Sequence, residues 1–199
     1  MSGGQGVAGN ALVCAEKVFR VLVEGPEPLG LYCGGDRWGW LPARPVDLAE
    51  LGSLLLKGGC ADEVKDAVWR EMVTRARTGR PEWVIGCVGL ALPGLRNVVA
   101  RASHKCAPGL AEDIVSEAVA EFVAQLQQID LGRPHVVARL LLWARKGALR
   151  ARGRETRHVM RREALDVLDE VAASGEGAIG QEPVPRRFGS GRSRRGRRS

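Results

Sequence analysis

The sequence predicts a mainly α-helical protein: a multi-helix bundle, preceded by a small N-terminal β-hairpin segment and followed by a disordered basic C-terminal tail. Three observations carry this. Apolar residues recur at helical spacing through most of residues 47–172. One stretch, GLYCGGDRWGWLP at residues 30–42, has short apolar runs around a glycine-rich turn, as paired strands do. From Ala173 the chain is rich in Gly, Pro, Ser and Arg and almost free of apolar residues, so it has nothing with which to build a core.

Residues 1–10 are Gly-rich and are expected to be disordered. Residues 11–23 (ALVCAEKVFRVLV) read as a short helix or a strand, ended by EGPEP. In the hairpin, Gly34-Gly35-Asp36 forms the turn and the return strand carries Trp38 and Trp40. The two tryptophans either cap a core edge or form an exposed docking patch. These elements make up a segment at 11–46, and the helical domain spans 47–172.

Asp47 is a helix N-cap with Glu50 three residues on, and Gly58-Gly59 stops that helix. Residues 61–77 place Val64, Val68, Met72 and Ala76 on one face. Asp66–Arg70 and Glu71–Arg75 form i, i+4 pairs on another, read as ordinary helix-surface chemistry. Pro81 opens the next helix, which Pro93-Gly94 is expected to kink or split, while Gly86 and Gly89 let a neighbour approach closely. Residues 109–129 are the clearest amphipathic helix. Leu110, Ile114, Ala118, Phe122, Leu126 and Ile129 face the core; Glu112, Asp113, Ser116, Glu117 and Glu121 lie mainly toward solvent. A turn at Asp130–Pro134 leads to a basic helix expected to bend near Gly153. Beyond it Met160, Ala164, Val167, Leu168 and Val171 repeat as the apolar face of a further helix.

The formal charge of +7 is arranged in blocks. Residues 1–132 are net −3, 133–162 net +9, 163–185 net −6, and the stretch from Arg186 onward net +7. This asymmetry points to polyanion binding, to masking of a basic face by the acidic block, or to both. There are 25 arginines against five lysines. The five cysteines are widely spaced with no CxxC pair, and no secretory signal or long apolar run stands out. The expectation is therefore a cytoplasmic protein with reduced thiols and no membrane span. His104 and Cys106 have no second pair to complete a zinc site, so no metal or other cofactor is expected. No phosphate-loop, nucleophile-elbow or HExxH pattern occurs, and no enzyme is expected.

The stretch that concentrates function is Arg133–Arg162, in which ten of thirty residues are Lys or Arg. Val137, Leu140, Leu141, Ala144 and Ala148 suit a buried face. Arg139, Trp143, Lys146 and Arg150 follow one another at i, i+4, i+7 and i+11, a stripe continued by Arg154, Arg157 and Arg161. Cations with an interleaved indole suit phosphates and an unpaired base; a solvated basic helix with Trp143 at the core edge has the same spacing.

Residues 91–154 resemble region 2 of sigma-70-type RNA polymerase sigma factors in its compact, extracytoplasmic-function form. The matching pieces are LALPGLRNVVARAS, AEDIVSEAVAEFVAQLQQID, LGRP and LLLWARKGALRARGRE. The stretch from DAVWREMV to WVIGCVGLALPGLR is also similar to a group of uncharacterised actinobacterial sigma-like proteins. The resemblance implies that Asp113, Ser116, Glu117 and Glu121 dock on the RNA polymerase core. It implies that Trp143 holds a single-stranded −10-type base, with Arg139, Arg145, Lys146, Arg150 and Arg152 on phosphates. The chain departs from the family in two ways: nothing after Ala172 suits a −35-reading domain, and the basic helix is poor in aromatics. The expected function is thus a sigma-like transcription regulator. The alternative is a non-enzymatic scaffold of a mobile-element or developmental pathway that binds protein through the Trp38/Trp40 hairpin or the Phe122 helix.

Overall fold

The computed structural model describes residues 10–35, 38–39, 41–56 and 60–176. The protein is mainly helical, with a small two-stranded antiparallel sheet near the N-terminus. In chain order the elements are α1 (Asn10–Glu24), β1 (Gly30–Tyr32), β2 (Pro45–Asp47), α2 (Leu48–Leu56), α3 (Asp62–Ala76), α4 (Pro81–Ala102), α5 (Pro108–Gln128) and α6 (Val136–Glu176). The chain divides into two units, Met1–Arg157 and His158–Ser199. The hairpin segment and the helices up to Arg157 belong to the first unit. Residues 1–9, Asp36, Trp40, Gly58-Gly59 and the tail beyond Glu176 lie outside the described residues.

Residues 11–23 are helical, which resolves the first ambiguity. Phe19 of α1 packs where Gly89 of α4 has no side chain, and a β-carbon there would clash with the ring. Gly86 gives the same clearance to Leu48, whose Cδ1 would lie 2.7 Å from an added Cβ. The sheet is placed differently from the expectation. β1 pairs with Pro45–Asp47, in the register Gly30↔Asp47, Leu31↔Val46 and Tyr32↔Pro45, and not with a strand carrying Trp38. Leu31 and Val46 are both buried, whereas Trp38 lies in the connection and is itself 2 % exposed. Burial of that large ring under the loop outweighs strand formation at its own position. Gly30 is required at the pairing, because a Cβ would sit 2.5 Å from the Val46 carbonyl oxygen.

Asp47 caps α2 as expected, its Oδ1 accepting the Glu50 N–H at 2.8 Å. Glu50 itself turns to Arg44, which donates to it from Nη1 at 3.0 Å and Nη2 at 2.6 Å. α4 is the central helix and packs against α1, α2, α3 and α5. Trp83, Cys87, Ala91 and Leu95 are among its buried residues. It runs unbroken through Pro93, because packing on several sides holds the turn that proline alone would weaken. α4 is also long and apolar enough to cross a membrane, but half of its most apolar window is buried inside the fold. Cys87 is wholly buried there, and burial pushes its thiol up to about 12.

α3 departs most from its sequence reading. Val64, Val68, Met72 and Ala76 are buried as the spacing requires, but so is Asp66. Its carboxylate accepts the N–H of His135 at 2.7 Å and of Val136 at 2.9 Å, and lies 3.6 Å from Arg70. Asp66 is therefore the N-terminal cap of α6, supplied from another helix, and not a surface charge. At the C-cap of α3, Arg77 donates to the carbonyls of Leu126 at 2.8 Å and Ile129 at 2.5 Å, where the C-terminus of α5 leaves them open. Arg70 donates to the Leu131 carbonyl at 2.8 Å. One helix thus fixes the turn between the two that follow, with an anion at a helix start and a cation at a helix end.

α6 runs from Val136 to Glu176, so the further helix expected beyond Gly153 is part of it, and residues 173–176, which the composition placed in the disordered tail, are helical. In the second unit Met160, Leu165, Val167 and Leu168 are exposed, at 52–64 %, rather than facing a core.

Candidate nucleic-acid interface

The first half of α6 buries Val136, Leu140, Ala144, Ala148 and Ala151. These positions follow helical spacing, so the opposite faces are fixed by the same period. Gly147 marks the closest approach to α5: a Cβ there would lie 2.9 Å from both the Glu117 carbonyl oxygen and the Glu121 Cβ.

The expected stripe runs along this seam. Trp143 is half-buried, and Lys146 places its Nζ 3.9 Å from the centre of the indole ring, a cation–π contact. Arg150 pairs with Glu121, and Arg154 with Glu117 at 3.2 Å. Arg139 donates to the Arg133 carbonyl at 3.1 Å, and Arg152 donates to the Ala102 carbonyl at 3.2 Å. Arg145 is exposed on the side facing α4, in a cleft of about 320 Å³ shared with Asn97 and Arg101. A shallow concavity of about 450 Å³ lies among Lys146, Leu149, Arg150, Gly153 and Arg157. Among the described residues, Arg101, Arg145, Lys146 and Arg157 form no ion pair. An anion can reach these four without displacing a carboxylate.

The acidic residues of α5 divide into two sets. Asp113 and Ser116 are exposed. Glu117 and Glu121 are half-buried and hold arginines of α6. The four residues expected to dock on polymerase therefore do not form one open face. Two of them neutralise the basic helix instead. Ion pairs this exposed contribute about 0.2–1 kcal/mol each, so a competing phosphate or carboxylate can exchange with them. Trp38 belongs to the core, as the core-edge reading had it, and Phe122 is fully buried. Arg101, at the end of α4, is the cation that the sequence reading missed. Its place beside Arg145 depends on how α4 and α6 pack, and no local pattern signals that.

No family model, curated protein or solved structure matches this chain. The described residues contain no group of three His, Cys, Asp or Glu side chains placed to hold a metal ion.

Proposed function

We propose that this protein is a sigma-like transcription regulator that binds nucleic acid through α6 and engages RNA polymerase through α5, without catalysing a reaction. One observation carries the reading: on α6 Lys146 lies over the half-buried Trp143 ring, and Arg101, Arg145 and Arg157, which like Lys146 have no carboxylate partner, line clefts on and beside the same helix. Arginines and lysines neutralise phosphates by releasing counterions, and a ring at the groove edge stacks on an unpaired base. The resemblance of residues 91–154 to sigma region 2 selects the −10-type single strand as ligand and the polymerase core as partner.

Fluorescence anisotropy with a labelled −10-type single strand, across a salt series, tests the nucleic-acid half. Trp143→Ala should weaken binding by about 1–3 kcal/mol, as removal of one stacked base does. The double substitution Arg145→Glu with Lys146→Glu should lower the salt slope by about 0.7 for each phosphate that is no longer neutralised. Co-purification with core polymerase, abolished by Asp113→Lys, tests the other half. Absence of both activities in the wild-type protein removes the proposal.

A further inference from the structure

Two features of this chain complement each other. The first is an apolar groove between α4 and α6. A cleft of about 430 Å³, lined by Leu55, Leu56, Trp69 and Leu90, meets the cleft that holds Arg145, and Gly94 and Leu141 line both. On α6 the groove follows Val137, Leu141, Arg145 and Leu149, each four residues from the last, which is about 18 Å of helix. Leu56 and Leu149 at its edges are 71 % and 47 % exposed. The charged residues that line it are Lys65, Arg101 and Arg145, all cationic.

The second feature is the part of α6 in the second unit. Met160, Ala164, Val167 and Leu168 repeat at i, i+4, i+7 and i+8, and all are exposed. Glu163, Asp166 and Glu170 flank that stripe at i, i+3 and i+7. The sequence spacing carries the apolar stripe on to Val171. From residue 160 to 171 a helix is about 17 Å long, which matches the groove.

We propose that the groove between α4 and α6 receives residues 160–171 of a second copy of the chain. The apolar stripe fills the cleft, and Glu163 and Asp166 meet Arg101 and Arg145. The occupant is argued from length, hydrophobicity and charge together: apolar against apolar over the same span, acidic flank against basic rim. If each copy gives its segment to the other, the assembly closes as a symmetric dimer. The groove shares Arg101 and Arg145 with the proposed nucleic-acid surface, and a readout in mass rather than DNA binding keeps the two readings distinguishable.

Light scattering on the full-length chain during size exclusion is the test. At tens of micromolar, wild type should elute with twice the 21.4 kDa of one chain. Leu168→Asp, at an exposed position that leaves the core intact, should give a monomer. A groove variant, Arg101→Glu with Arg145→Glu, and a helix variant, Glu163→Arg with Asp166→Arg, should each be monomeric alone. Mixed, they should recover the dimer, because the reversed groove of one then meets the reversed helix of the other. A wild-type monomer at every concentration overturns the proposal, as does a dimer indifferent to Leu168→Asp. A wild-type monomer whose hydrodynamic radius grows in the helix variant assigns the groove to a segment of the same molecule, and equally overturns docking by a second copy.

Discussion

Replacing Asp66 tests whether α3 really governs the start of α6. The carboxylate is 5 % exposed and accepts two backbone N–H groups, at 2.7 and 2.9 Å. Asp66→Ala removes the cap, a loss of about 0.5–2 kcal/mol. It also leaves the Val136 N–H buried without an acceptor, at about 1–3 kcal/mol. The His135 N–H adds less, because His135 is exposed and water can reach it. The sum is about 1.5–5 kcal/mol, a large part of the roughly 5–15 kcal/mol typical of a folded domain. Asp66→Asn keeps one acceptor oxygen and should lose about half as much. Urea unfolding followed by circular dichroism gives the difference, provided the slope with denaturant is unchanged. Amide exchange at Val136 to Arg139 should accelerate in the alanine variant before global unfolding. A loss below about 0.5 kcal/mol for Asp66→Ala, the range of an ordinary surface substitution, would refute the capping argument.

Two further outcomes follow from the packing. Gly147→Ala should destabilise the protein by about 1–3 kcal/mol, since its Cβ meets α5 backbone at 2.9 Å, whereas Gly153→Ala, with nothing near its Cβ, should be neutral or stabilising; thermal melts of the pair compare them directly. Stability should also fall in alkaline solution. Cys87 keeps its proton in the folded state up to about 12, while the unfolded thiol ionises from its ordinary value of 9.0. The stabilising contribution is therefore complete below about pH 9 and is lost as pH rises toward 12, at about 1.4 kcal/mol per pH unit for one thiol. Burial raises Cys33 and Cys60 in the same direction. Urea midpoints measured from pH 8 to 11 should decline, and Cys87→Ala should make the decline shallower.

What the sequence disclosed was local, and what it hid was not. The apolar period of α3 and α5 marked their buried faces because a helix repeats the same geometry at every turn. Asp47 was legible as a cap because its acceptor serves an N–H three residues away. Asp66 serves residues 69 and 70 positions away, so its role is invisible to any local pattern. An i, i+4 arginine beside it even supplied a plausible surface explanation. The return strand was misplaced for a related reason. Tryptophan at position 38 looks like strand, but Leu31 pairs with Val46, and the choice is made by what is buried across the intervening loop. Pro93 misled in the opposite sense, since its local penalty was real but smaller than the packing that holds α4 together.

The pairing of α5 with α6 changes how the two proposed surfaces relate. Read separately, α5 offers carboxylates to one partner and α6 offers cations to another. In the structure Glu117 and Glu121 already hold Arg154 and Arg150, so each surface uses the other as a counterion. A partner that takes the carboxylates must bring cations of its own, and in doing so it frees two arginines for phosphate. A nucleic acid that takes the arginines likewise frees two carboxylates on α5. Under the proposed function the two binding events are therefore favourably coupled, and linkage requires that the coupling be equal in both directions. Because each pair contributes only about 0.2–1 kcal/mol, the coupling is bounded at roughly twice that amount. That is enough to bias assembly toward the ternary complex without making either binary complex inaccessible.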